Sequence, residues 1–337
     1  MSSEGISCFP VAGIGEVAPG DDLAALIAPH VTLVDGDVVV VTSKVVSKAE
    51  GRILTAARSE VLADETDRTV ATRGATAIVR TRLGLVMAAA GIDASNTRPG
   101  TVVLLPLDPD GSARDLRDRF AEDLGRNVAV VVTDTSGRAW RNGQTDIAVG
   151  AAGIETMHDH AGVTDDHGNV LEVTAPAVAD EIAGAADLVM GKVGGIPVAV
   201  LRGLGRMVLA SGEHGPGARA LIRVEDQDMF GYGARDAVVA ALDATPSGVR
   251  GFGKPASGTD LRDVFDVLVA GEGLSGFRVS IGADGRVDVR LEGRDPRASG
   301  RVEARLVTAA FALGWLADEL SEPSGFGSSL RFRTATP

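Results

Sequence analysis

The chain has 337 residues, 45% of them hydrophobic and 23% charged, with 46 acids against 33 bases and a net charge of −13. That length predicts about two domains and a core large enough to hold without staples. The acidic balance excludes generic binding to nucleic acid or to an anionic membrane, because phosphate backbones and headgroups need basic surface.

The opening MSSEGISCFPVAG has neither the basic nor the apolar region of a secretory signal. No apolar run approaches the ~18 residues of a membrane helix. Cys8 is the single cysteine. An intrachain disulfide is therefore excluded, and a buried inert thiol in a reducing, cytoplasmic compartment is expected.

Residues 21–29 predict a short helix with acids in its first turn. The run Asp37 to Thr42 predicts a buried strand after the turn at Asp35-Gly36. A β-rich run covers 75–80, and the small apolar segment LGLVMAAAG covers 83–91. Thr101 to Leu105 reads as a strand, and Ser112 to Leu124 as an amphipathic helix carrying Leu116, Phe120 and Leu124 on one stripe. Val128 to Thr133 is the strongest strand signal, with Asp134 at its end and a polar, Arg-rich segment to Gln144. A strand at 170–174, a helix from Pro176 to Met190, a strand from Ile196 to Leu201 and a helix from Arg235 to Leu242 follow. The Gly- and Pro-rich stretch 246–258 reads as a linker. Beyond it come a helix over 259–269, a hairpin FRVSIGADGRVDVRL, a helix from Val302 to Leu320 and a loose tail from Ser321.

The standard nucleotide signatures fail. Residues 186–193 lack the first Gly and the closing hydroxyl of a P-loop, and no GxGxxG opens a helix. His158 and His160 read as a solvated loop rather than a metal site. Two clusters do carry chemistry. A carboxylate at the end of a buried strand is well placed in an α/β architecture. Asp134 with Thr135 makes half a site for a hard cation, and Asp93 is a candidate second carboxylate. Arg138 and Arg141 add forked donors for carboxylate or phosphate. The bland alternative is a structural turn with solvated arginines. Ser43, Lys44 and Lys48 form the second cluster. The chain has four lysines, Lys44, Lys48, Lys192 and Lys254, and every other base is Arg. A retained lysine in such a background points to a place where a compact ammonium is needed, against the alternative of a solvated basic turn.

The string GDVVVVTSKVVSKAEGR (36–52) resembles the N-terminal motif of the coenzyme F420 γ-glutamyl ligases. LGLVMAAAGIDASN (83–96), PGTVVLLPLDPD (99–110), VVVTDTSGRAWRNGQTDIAVG (130–150) and EVTAPAVADEIAGAADLVMGKVGGIPVAVLRG (172–203) look like its remaining blocks, in order. The resemblance runs over about 7–245. It implies an α+β fold of two parts with mixed sheets, forming a homodimer. It implies a ligase that adds L-glutamate to the lactyl carboxylate of F420-0 and extends it by γ-linkage through an acyl phosphate. GTP would be the co-substrate, with Mg²⁺ or Mn²⁺, and K⁺ is a further candidate ion. Carried over by motif, Ile14, Gly15, Glu16, Val17, Ser43, Lys44, Lys48 and Asn96 look like GTP contacts. So does the segment Met190, Gly191, Lys192, Val193, Gly194, Gly195, Ile196 and Pro197. Asp93 and Asp134 look like ligands of one metal and Thr135 of a second, with Asp134, Arg138 and Arg141 as catalytic groups. One departure stands out: Lys192 occupies a place where archaeal members carry Glu or Gln on the second metal, and a protonated lysine cannot ligate. A ligase for a different carboxylate acceptor and a non-catalytic nucleotide-binding module remain as alternatives. The expected organisation is a catalytic region over 1–245, the linker 246–258 and a small C-terminal α+β extension over 259–337, with no flavin domain.

Overall fold

The computed structural model describes residues 5–95, 97–270, 272, 274–293, 295–318 and 327–335. The chain divides into two compact units. The first comprises residues 1–68 and 76–222, the second residues 69–75 and 223–337.

Up to residue 222 the elements are Ser7–Val11 (β1), Leu23–Ile27 (α1), Val38–Thr42 (β2), Ser43–Ala49 (α2), Ile53–Thr55 (β3), Arg58–Val61 (α3), Thr66–Arg73 (β4, whose residues 69–73 belong to the second unit), Thr76–Thr81 (β5), Val86–Ala88 (β6), Thr101–Val103 (β7), Pro109–Leu124 (α4), Ala129–Gly137 (β8), Gln144–Ala152 (β9), Val178–Met190 (α5) and Val198–Arg202 (β10). Five strands form one mixed sheet in the order β1-β10-β2-β8-β9. β2 and β8 run parallel in register, Val38 opposite Ala129 through Thr42 opposite Thr133. The other pairings in this sheet are antiparallel.

The alternation of a strand sends its residues to two faces, and both faces here are apolar. Val39, Val41, Val130 and Val132 pack with Leu116 and Phe120 of α4 and with α1. Val38, Val40, Ala129 and Val131 pack with Ile182, Ala186 and Met190 of α5. A strand covered on both sides reads as a continuous apolar run rather than an alternating one, which is the Val38–Val41 sequence. The packing of α4 on β9 is close enough to require Gly150, where a Cβ would meet the Pro109 carbonyl oxygen at 2.2 Å.

The second unit contains Ala234–Asp243 (α6), Gly258–Val269 (α7), Gly276–Ile281 (β11), Val287–Glu292 (β12), Pro296–Ala312 (α8), Trp315–Ala317 (β13) and Gly327–Thr334 (β14). Ser257 caps α7 by accepting from the Asp260 amide, and the Asp260 carboxylate returns to the Ser257 amide. Leu261 and Phe265 of α7 and Leu306 of α8 pack on Val287, Val289, Leu291, Leu330 and Phe332. The sheet order is β11-β12-β14-β13.

Several expectations need correction. The final helix ends at Ala312, not near 320, because Leu313 and Gly314 turn the chain into β13. The tail is not loose as a whole. Residues 321–326 lie outside the described residues, but β14 pairs with β12 through six residues. Leu330 and Phe332 point inward while Arg331 and Arg333 are exposed. Residues 170–174 form no strand; Val170 makes one isolated bridge with Thr164, and Val173 is exposed. The stretch 246–258 contains a 3-10 helix at Gly248–Phe252, and the Phe252 ring packs against Tyr232 and Phe311, all inside the second unit.

Candidate functional site

A cleft of about 680 Å³ opens in the first unit at the carboxyl ends of β2 and β8. Parallel neighbours bring two chain exits to the same edge of the sheet. At the first exit, Thr42 leads directly into α2, so Ser43 stands at the strand end and Lys44 and Lys48 lie four apart on one helix face. At the second, β8 bulges between Val132 and Thr133 and continues to Gly137. The Ser43 hydroxyl donates to Asp134 Oδ1 at 2.9 Å and ties the two exits together. Asp93 arrives from a third direction, fixed by a two-way backbone bridge with Val103.

Each lysine of the cleft is held by carboxylate. Lys44 Nζ lies 2.6 Å from Asp93 Oδ2 and also donates to the Ser95 carbonyl and hydroxyl. Lys48, 6% exposed, pairs with Glu16 Oε1 at 2.5 Å. Lys192 donates to Thr135 Oγ1 at 2.6 Å and to Asp146 Oδ1 at 3.0 Å. Among the described residues lining the cleft, Glu16, Asp93, Asp134, Asp146 and Asp187 outnumber Lys44, Lys48, Arg58 and Lys192. A polyanionic ligand therefore needs added positive charge to enter.

Burial pushes the Asp134 carboxyl up to about 7, the Ser43 hydrogen bond offsets part of that, and the Asp146 and Asp93 charges add to it. Burial also acts to raise Asp93, but hydrogen bonds from Lys44 and Ser95 outweigh it and hold this carboxyl below its ordinary value. For Lys192 burial acts downward, and the bonds to Asp187 and Asp146 hold it above its usual range. Asp93 and Asp134 thus present oxygen donors, one of them a carboxylate whose charge is disfavoured until a cation arrives. That donor set fits a hard divalent ion. Lys44 occupies Asp93 but leaves Asp134 without an ion-pair partner among the described residues, whereas the Thr135 hydroxyl and both acids beside it, Asp146 and Asp187, already carry the Lys192 ammonium.

The folded state binds the Asp134 proton more tightly than the unfolded chain, so its contribution is full below about pH 4. It is lost as pH rises through about 7. In the metal-free protein, thermal midpoints of the unaltered chain should fall relative to Asp134→Asn across that window, leaving the Asn variant the more stable at pH 8. A pH-independent difference between the two would show that burial does not raise this carboxyl.

The cleft gathers most of the residues that the sequence singled out. Gly15, Glu16, Val17, Ser43, Lys44, Lys48, Asp93, Asp134, Thr135, Met190, Gly191, Lys192, Gly195, Ile196 and Pro197 line it. Ile14 packs against the core instead. Val193 is fully exposed, and neither it nor Gly194 lines the cleft. Asn96 lies outside the described residues. Arg138 and Arg141 stand exposed on the β8–β9 connection, outside the lining, with Arg138 donating to the Asn142 carbonyl. His158 and His160 stack on each other away from the cleft lining.

Sequence reasoning missed Asp146, Asp187, Arg58 and Gln144, which also line the cleft. Asp146 sits opposite Thr135 in the β8–β9 ladder and accepts from both Thr133 and Thr135. The signal was the hairpin itself: pairing TDTSG with QTDIA places Asp146 across from Thr135.

A family model described as F420-0:gamma-glutamyl ligase matches residues 13–203. The chain is 44% identical over 221 residues to a coenzyme F420:L-glutamate ligase of Archaeoglobus fulgidus, covering 59% of this chain and 88% of that protein. It is 42% identical over 236 residues to the protein of the same name from Methanopyrus kandleri, covering 64% and 93%. With that of Methanothermobacter thermautotrophicus the identity is 37% over 252 residues, covering 67% and 99%. The described residues lining the cleft, Gly15 to Pro197, all fall inside the matched segment. No helix among the described residues is long and apolar enough to cross a membrane.

Proposed function

The chain belongs to the F420-0:gamma-glutamyl ligase family, and from that premise we propose that it joins L-glutamate to the lactyl carboxylate of coenzyme F420-0 at the expense of GTP, then extends the product by γ-linkage. The observation that carries this reading is the concentration of Lys44, Lys48 and Lys192 beside Asp93 and Asp134 in one cleft.

A carboxylate does not accept an amine at neutral pH without activation. Transfer of the γ-phosphoryl group to a carboxylate oxygen gives an acyl phosphate and GDP. The glutamate amine, as the free base, then attacks the acyl carbon, and inorganic phosphate leaves with the bonding pair. Phosphoryl transfer asks the protein for positioning and charge neutralisation rather than for a nucleophile. Lys44 and Lys48, projected from one face of α2, supply compact positive charge for a triphosphate. Asp93 and Asp134 would hold the divalent cation. When bound, such an ion would supply positive charge to offset that of the phosphates. The Ser43 bond keeps Asp134 aimed into the cleft.

The direct test incubates the protein with F420-0, GTP, L-glutamate and Mg²⁺ or Mn²⁺ and follows products by mass spectrometry. A gain of one glutamyl residue with matching GDP release is expected. A folded protein that yields neither would end the reading.

Lys48 gives a sharper check within the site. Its ammonium is buried and its one salt-bridge partner among the described residues, Glu16, has a side chain 82% exposed, so an incoming phosphate can replace that carboxylate at little cost. A hydrogen bond to a charged group is worth ~1.5–3 kcal/mol. Lys48→Ala should therefore raise the KM for GTP about tenfold or more, with little change in the KM for L-glutamate. Unchanged constants for both substrates would return Lys48 to a structural role.

A further inference from the structure

Gly191 closes α5 with φ of +62°, a conformation that favours glycine, and the chain turns back so that Lys192 reaches over the cleft. Its Nζ lies 2.6 Å from Thr135 Oγ1, 3.0 Å from Asp146 Oδ1 and 3.0 Å from Asp187 Oδ1. An ammonium has three N–H donors, and these three oxygens can take all of them. Asp146 is 3% exposed, and among the described residues Lys192 is the one cation paired with it. A buried carboxylate stripped of its partner is costly. Two carboxylates and a hydroxyl are also the donor set that a hard divalent ion accepts. One seat thus suits either of two cations, and the chain supplies its own.

We propose that Lys192 is a tethered cation that closes the seat formed by Thr135, Asp146 and Asp187 to metal, so that this protein takes its divalent ion at Asp93 and Asp134 alone. The proposal deepens the ligase reading by reducing the metal complement of its site. Because all three N–H groups are directed at protein oxygens, Lys192 acts through charge and position, not as a free donor. It is a positioning residue for the β8–β9 ladder and for α5.

Lys192→Met removes the ammonium while keeping a side chain of similar length. Binding of Mn²⁺, followed by electron paramagnetic resonance of the free ion without nucleotide, should reach a saturating stoichiometry one ion per chain higher in Lys192→Met than in the unaltered protein. Lys192→Arg, which keeps the charge, should not gain the ion. The double variant Asp134→Asn, Lys192→Met should retain the extra ion, because its seat does not use Asp134. Lys192→Gln serves the same purpose if the Met variant does not fold, as judged by circular dichroism. Equal stoichiometry with and without the ammonium overturns the proposal, whether the seat stays empty or was already filled. Retention of the unaltered protein's own Mn²⁺ in Asp134→Asn alone would instead count against the cation placed at Asp93 and Asp134, independently of Lys192.

Discussion

Replacing Asp134 by Asn is expected to cut ligase turnover by about a hundredfold or more while leaving the fold intact. The substitution keeps the volume of the side chain and an oxygen that can still accept from Ser43, which donates at 2.9 Å in the native protein. It removes the one carboxylate of β8, on which the Asp146 and Asp93 charges act. Native Asp134 is held near its ionisation threshold, its pKa raised to about 7 by burial first and then by those neighbours. That arrangement costs stability in the empty protein and stores affinity for a positive charge, the exchange of stability for function expected of a working site. The variant should therefore lose turnover and gain stability at pH 8 together. Near-normal turnover in a folded Asp134→Asn protein would remove the residue from the mechanism, and loss of turnover with loss of stability would make it a structural group.

The strands that frame the site were legible because burial on both faces writes an unmistakable code. Val38–Val41 and Ala129–Val132 are uninterrupted apolar runs, and each ends at a polar residue that proved to face the cleft. The lysines were legible by contrast with a background of arginine, and three of the four line the cleft. The acids beyond Asp93 and Asp134 were not. With 46 acids in the chain, Asp146 and Asp187 carry no mark of their own, and only strand register and the end of α5 bring them to Thr135 and Lys192. Arg138 and Arg141, singled out in the sequence, stand outside the cleft lining. Charge near a strand end says nothing of direction, and both side chains are exposed. In the second unit, the Leu330/Phe332 alternation of β14 is visible in the sequence. Its partner β12 is some forty residues earlier, and local pattern does not identify a partner across that gap.

The largest effect on stability is expected at Asp110, far from any reacting group. It occupies the second position of α4, where a carboxylate also favours the helix dipole. It is 3% exposed. Its Oδ1 accepts from the Ala151 amide of β9 at 2.9 Å and from the Ala218 amide at 2.7 Å, and its Oδ2 accepts from Arg219 Nε at 2.7 Å. One carboxylate thus joins a helix start, a strand of the main sheet and the 3-10 turn Ala218–Leu221. The turn approaches so closely that Gly217 has no room for a Cβ, which would lie 2.6 Å from Asp110 Oδ2. The Arg219 side chain is 65% exposed, so that ion pair contributes little. The cost of Asp110→Ala comes from two buried backbone amides left without an acceptor, at ~1–3 kcal/mol each, or about 3 kcal/mol together. Asp110→Asn can keep its one acceptor oxygen where Oδ1 stands, which serves both amides, and should lose well under half as much. Urea unfolding would read the shift, and hydrogen exchange would locate it, with the Ala151 and Ala218 amides losing protection before the rest of the sheet. β9 also carries Asp146, so loosening its far end should weaken the grip on Lys192 as well. An unfolding midpoint unmoved by Asp110→Ala, with both amides still protected, would show that water or a neighbouring carbonyl replaces the carboxylate and that this junction is not held by Asp110.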